Sequence, residues 1–388
     1  MSLSTGCAPN ARETAPPLPS HAQVDSVVHG MMNETGARGL ALAVIDGGEV
    51  SYVSTYGDRN AGGAPLEAGS IMYGASLTKS VFAYLVLQLV DEGIINLDTP
   101  ISAYLPKPLP EYTDPTVEDL YARWSDLADD DRWKKLTPRI LLTHSSGFAN
   151  FGFLEPDGKL RFHFDPGERY SYSGDGIVLL QFVLERGLGL DVGHELQVRI
   201  FTPLGMHDTS LMWRDDFAGR AADGWTIDGT PVPHDDRSAV RASGSMDLSV
   251  ADLSRLVAAI ARGDLISAAA RKEFSQPQLA ITSASQFPTL QADVPPAQRT
   301  AGLAAGLGVV VFDGPQGHGF YKGGHNEFTG DMMACLETTQ RCVAMLGNDL
   351  RAEAAIPFLV DFILGPTGVP WRWEYGDAKF WASPAAAR

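Results

Sequence analysis

Cysteine is scarce, with three in 388 residues, and none of them has an obvious histidine partner. A cysteine nucleophile is therefore set aside. Positive charge is also short: 30 Lys and Arg stand against 47 Asp and Glu, a formal charge of -17. That balance argues against nucleic acid and against an anionic membrane surface, both of which call for a basic patch. It leaves local charge in a cleft undetermined. No apolar run reaches membrane-spanning length, and no twenty-residue repeat is apparent. What the chain does have is 44% hydrophobic residues, enough for one large domain or two intimately joined ones. Its 40 Gly and 25 Pro suit a loop-rich enzyme rather than a helical bundle.

The stretch that organises the rest is Gly74-Ala75-Ser76-Leu77-Thr78-Lys79, followed by an apolar run to Val90. The run predicts a helix, which places Ser76 and Lys79 on one face of its first turn. Free backbone N–H groups at that helix start favour negative charge developing on an oxygen. A serine hydroxyl beside a lysine amine is one way to make a nucleophile for acyl transfer. The competing reading is an N-capping serine with a solvated lysine nearby.

Around this helix the pattern alternates between strand and helix. An amphipathic stretch, 23–35, precedes a hairpin of Gly39–Asp46 and Glu49–Tyr56 turned at Gly47-Gly48. From Pro106 to Asp131 the chain is acidic and broken by proline, with a short helix expected over 117–122. Thr137–Leu142 reads as a helix with proline in its first turn. A loop dense in phenylalanine follows, with Phe148, Phe151 and Phe153 as candidates to line a substrate cleft. Tyr172 stands just ahead of a helical run, 177–184, which would hold it in place. Past a charged, loop-like stretch (213–242), a helix is expected over 247–256. Strands are expected at 306–311, 320–325, 332–337 and 341–346, and a closing helix at 352–364.

Cys335 and Cys342 would sit opposite one another if Thr338-Thr339 centres the turn. A bridge is then possible, though the favoured reading is two small buried apolar residues. Ser4-Thr5-Gly6-Cys7 is similar to the cleavage end of a bacterial lipoprotein signal, but no basic or apolar region precedes it, so the match reads as accidental. Absence of a signal segment favours the cytoplasm, with export open if the chain starts further upstream. Four segments are expected: a disordered lead-in (1–20); an α/β sheet domain made from 21–95 and 243–365; a mostly helical insert (96–242); and a tryptophan-containing tail (366–388). That tail either packs on the body, contacts a partner or is partly ordered.

Three marks then stand in order: Ser76-Leu77-Thr78-Lys79, Tyr172-Ser173-Gly174 and Lys322-Gly323-Gly324. Together they resemble the serine β-lactamase and penicillin-binding-protein family, nearest to its class C β-lactamase-like esterases and D-stereospecific peptidases. Leu141–Gly147 and Pro203–Thr209 have the same flavour, so the resemblance covers roughly residues 25–365. It implies an α/β fold of the β-lactamase and transpeptidase kind: an antiparallel β-sheet flanked by helices, with the helical insert closing a cleft. It also implies Ser76 as acyl acceptor, Lys79 sharing its proton, Tyr172 acting with Lys79, and Lys322 supporting them from a strand. The backbone N–H groups of Ser76 and His325 would form the oxyanion hole. Positive charge from Lys79 and Lys322 is expected to favour a Tyr172 phenolate. No metal or organic cofactor is implied.

The departures bear on substrate. Gly174 replaces an asparagine that would serve an acylamino carbonyl, and Gly323 replaces a hydroxyl residue that helps to hold a substrate carboxylate. Gly324 follows it. These changes point to a carboxylesterase for small or medium acyl esters. The alternatives are a D-amino-acid amidase or peptidase, then a β-lactamase, then a catalytically idle binding protein of the same fold. The partner expected is a small-molecule ester or amide. Oligomeric state is not legible. An acid–base part for the side chains of His325 and His144 is a minor reading.

Overall fold

The computed structural model describes residues 17–376. Cys7, Trp381 and most of the expected lead-in lie outside the described residues; Ser20, within them, caps the first helix, His21–Thr35.

The centre of the fold is an eight-stranded sheet in which every neighbouring pair runs antiparallel. The hairpin Gly39–Asp46/Glu49–Gly57 turns at Gly47 and Gly48, both at positive φ, which glycine adopts without a steric penalty. Gly39–Asp46 pairs on its other side with Arg341–Gly347, so the first strand of the chain lies beside the last. Gly330–Leu336, Gly317–His325 and Val310–Gly314 continue the sheet, and two-residue strands at Ala304–Ala305 and Leu279–Ala280 end it.

Side chains alternate across these strands, as the pleat requires. Ala41, Ala43, Met333 and Ala344 face one core with the helix Leu77–Asp91, while Leu42, Val44, Met332 and Val343 face the other. Helix Val250–Arg262 covers the hairpin on the first side. Helices His21–Thr35 and Ile356–Leu364 join the second core with Trp371 and Trp373. Both faces are therefore dry, which is why the inner strands read as nearly continuous apolar runs.

The structure departs from the expected elements at several points. The expected strand 306–311 is divided: Gly306 N–H donates to Val309 O in a turn, and the strand starts at Val310. Gly308 sits at φ 72, and a Cβ there would lie 2.8 Å from the Lys79 carbonyl oxygen. That turn is how the chain passes close to the Leu77–Asp91 helix. The helix after Tyr172 starts at Gly174, earlier than expected, because the Ser173 hydroxyl caps it by accepting from Gly176 N–H. Asp247–Leu248 forms a short strand, and its helix begins only at Val250. Cys335 and Cys342, opposite each other in the strand pairing, are joined by a disulfide, against the favoured reading. Residues 371–375 form a short helix with Trp371 and Trp373 buried, so this part of the tail packs on the body. Among the described residues no helix is long and apolar enough to cross a membrane.

Candidate active site

The helix Leu77–Asp91 is buried almost all the way round, from Leu77 to Leu89. A helix with no wet face is held rigidly, and so is whatever stands at its start. Ser76 is the residue before its first turn, and its side chain caps no backbone N–H. Its hydroxyl instead meets two groups: Lys79 Nζ at 3.0 Å and the Tyr172 hydroxyl, which donates to it, at 2.7 Å. Lys79 is 2% exposed. The capping-serine and solvated-lysine reading therefore fails on both counts.

Ala75, just before the serine, is held at φ 41, a left-handed conformation that costs a residue with a Cβ about 1–2 kcal/mol. The Thr78 hydroxyl fixes it by donating to the Ala75 carbonyl at 2.6 Å. Ser76 N–H donates to no acceptor among the described residues. Beside it runs the end of strand Gly317–His325, where a Cβ on Gly324 would lie 3.1 Å from Ser76 N. Only glycine lets that strand come so close. The expected oxyanion donors, Ser76 N–H and the backbone after Gly324, thus border the same spot.

Burial and charge set the protonation states. Burial, and then the Lys322 charge, hold the Lys79 amine well below its usual range. Lys322 is lowered to about 8, chiefly by burial. Burial pushes the Tyr172 phenol up, against the hydrogen bond to Ser76. The expected phenolate is thus not what this environment favours: desolvation acts on all three groups and disfavours charge on each. The Nζ atoms of Lys79 and Lys322 lie 5.0 Å and 5.1 Å from the Tyr172 ring centre. On its other sides the ring packs against His144 at 4.4 Å and Phe287 at 5.3 Å. His144 Nδ1 lies 3.2 Å from both the backbone N and O of Ser173. Burial, then the Lys79 and Lys322 charges, hold the imidazole well below its usual range, so it packs on Tyr172 as a neutral ring. His325 directs its ring to Glu353 at 3.2 Å.

These groups border a cavity of about 690 Å³ that includes Ser76, Lys79, Tyr172, Lys322, Gly323 and His325 in its wall. That is the size of a small-molecule site. Phe151 and Phe153 line it with stacked rings 5.1 Å apart. Phe148 does not: it is fully buried against Phe162, because its loop turns it into the core. Gly174 and Gly324 lie behind the wall, Gly174 beneath the Phe151 ring.

Four wall residues had no signal in the sequence pattern. The Ser243 carbonyl accepts from Lys79 Nζ. Asn150 Oδ1 accepts from Gly174 N–H at 3.0 Å, which turns its amide nitrogen the other way. Asp175 is pushed up to about 7 by burial, against the Gly152 N–H donating to it. Glu374 comes from the short tryptophan helix and lies against Gly323. Among the described residues no group of three or more His, Cys, Asp or Glu side chains could hold a metal ion.

A serine hydroxyl thus meets a buried lysine and a tyrosine at the wall of a small-molecule cavity. The family model described as Beta-lactamase matches residues 24–359, and the chain belongs to that family. Its members include esterases, peptidases and β-lactamases. Among curated proteins, lovastatin esterase of Penicillium rubens is 29% identical over 183 residues, 41% of this chain and 44% of that one. The D-alanyl-D-alanine-carboxypeptidase/endopeptidase AmpH of Escherichia coli K12 is 28% identical over 197 residues, 48% of this chain and 49% of that one. The chain thus spans about half the length of the curated relatives it matches. Among solved structures, the octameric penicillin-binding protein homologue from Pyrococcus abyssi superposes with a TM-score of 0.69 at 19% identity. It covers 90% of this chain and 78% of its own. At that identity the likeness is one of fold.

Proposed function

We propose that the protein is a serine carboxylesterase for small or medium acyl esters, working through an acyl-enzyme on Ser76. The observation that carries the proposal is the double contact on the Ser76 hydroxyl, from Lys79 Nζ and the Tyr172 hydroxyl. Lys79, kept neutral by burial and Lys322, takes the serine proton as Oγ attacks the acyl carbon. The developing oxyanion is met by Ser76 N–H and by the backbone N–H of His325. As the bond to the alcohol breaks, Tyr172 hands its proton to the departing oxygen, and Lys79 restores it. Water then takes the place of the alcohol and releases the acid.

The preference for esters rests on Gly174. It has no side-chain amide for an acylamino carbonyl, and Phe151 fills the space one would need. An acylamino group left without its partner loses roughly 1–3 kcal/mol. Asn150 supports a second reading, a D-amino-acid amidase or peptidase. Its amide nitrogen donates to no acceptor among the described residues, and the residue lines the cavity. The test is kcat/KM on short and medium acyl esters, a chromogenic cephalosporin and D-alanyl and D-phenylalanyl amides, with Ser76→Ala as blank. Esters are expected to lead by on the order of a hundredfold. A leading D-amide would hand the site to the second reading.

A further inference from the structure

Glu374 is a buried carboxylate in the wall of the cavity, 8% exposed, brought there by the Trp371–Tyr375 helix. Its Oε1 lies 2.5 Å from where a Cβ on Gly323 would stand, closer than any side chain could tolerate. A side chain at 323 would therefore have to push Glu374 aside. Oε2 is buried with no hydrogen-bond partner among the described residues. Such an orphaned carboxylate oxygen is costly unless nearby positive charge compensates it. Lys322 Nζ donates to the Gly323 carbonyl at 2.7 Å, so it flanks the same residue as Glu374. Its charge, then that of His325, favours the carboxylate against burial, which pushes the carboxyl up.

We propose that Glu374 acts as a built-in counter-ion that takes the place of a substrate carboxylate at Lys322, so the site accepts neutral substrates and rejects carboxylate-bearing ones. The inference rests on the esterase reading and names its substrate class. Lys322 lies over the Tyr172 ring, and Tyr172 serves the departing alcohol, so the discrimination falls on the alcohol side of the ester. Two features act together there. Lys322 is already matched in charge, and a second carboxylate would face Glu374 across a poorly hydrated wall, where like charges repel far more strongly than in water.

The experiment compares 3-butyryloxybenzamide with 3-butyryloxybenzoate, two esters differing in one charged group on the alcohol side. For the wild-type protein, kcat/KM for the amide-bearing ester should exceed that for the benzoate by at least about tenfold. In Glu374→Gln, which keeps the shape and removes the charge, that ratio should fall at least about fivefold. Gly323→Ala, whose methyl group would displace Glu374 from the wall, should lower the ratio in the same direction and guards against misfolding of the first variant. Equal rates on both esters in the wild type, or an unchanged ratio in both variants, would overturn the inference and leave the esterase reading intact. No Ser76-dependent turnover of either ester would instead overturn the esterase reading itself.

Discussion

The Phe151 ring occupies the space that a side chain on residue 174 would need: a Cβ on Gly174 would lie 2.3 Å from its Cε1 and Cζ atoms. The glycine and the phenylalanine are one feature, in which a missing amide is replaced by an apolar ring in the cavity wall. The two come from a loop and a helix start tied together through Asn150, whose backbone carbonyl accepts from Gly174 and Asp175 N–H.

Gly174→Asn alone is therefore expected to displace Phe151 and lower stability by about 1–3 kcal/mol, read as a drop in the urea midpoint. With Phe151→Ala added the space opens, and the cephalosporin-to-ester ratio of kcat/KM should rise. A single variant as stable as wild type would show that the ring yields freely, and the coupling would be wrong.

The serine helix and the hairpins were legible because their signals are local: a three-residue spacing, a glycine pair and period-two alternation. Ser76 and Lys79 needed nothing but one turn of helix to meet. The wall around them was not legible, since Ser243 reaches Lys79 across 164 positions of sequence and Glu374 arrives from the last described helix. Phe148 was misplaced for a related reason. Aromatic density says that a loop packs somewhere, but only the chain path decides which ring faces the cavity and which the core. Gly306-Leu307-Gly308 reads as strand until the close approach to the Lys79 carbonyl, a tertiary contact, imposes a turn.

Lys79 should set the acidic limb of kcat/KM, because only its neutral amine can take the serine proton. Its depression has two causes, burial and the Lys322 charge, and only the second can be removed by one substitution. Lys322 titrates at about 8, so below that pH it repels a proton on Lys79. In Lys322→Met that repulsion is gone, Lys79 holds its proton more tightly, and the acidic limb should move to higher pH. A limb that stays in place or moves to lower pH would show that Lys79 does not govern it.

Asp175 gives the fold its own pH dependence. Its carboxyl titrates at about 7 when folded, against an ordinary 3.8, because burial outweighs the Gly152 hydrogen bond. The folded state thus holds this proton more tightly than the unfolded chain does. The resulting stability is fully present below about pH 4 and is lost as pH rises to about 7, by at most about 4 kcal/mol. Asp175→Asn keeps an oxygen for Gly152 N–H but has no proton to lose. Its stability relative to wild type should climb between pH 4 and 7 and level off above, as read from paired urea midpoints. A difference independent of pH would place the titration elsewhere.

The Cys335–Cys342 bridge links adjacent strands in the centre of the sheet, both residues being buried. Closing so short a loop restricts the unfolded chain modestly, by about 2 kcal/mol. Such bridges persist in oxidising compartments, which sets this one against the cytoplasmic expectation. Protein denatured without reductant should show one reactive thiol, that of Cys7, and three after reduction. The Cys335→Ala and Cys342→Ala double variant should lower the urea midpoint without changing the ester-to-amide ratio of kcat/KM, since the bridge lies at the far end of its hairpin from His325 and Gly330. Three thiols before reduction would mean the bridge is absent from the purified protein. The two residues would then be the small apolar packers that their sequence setting favours.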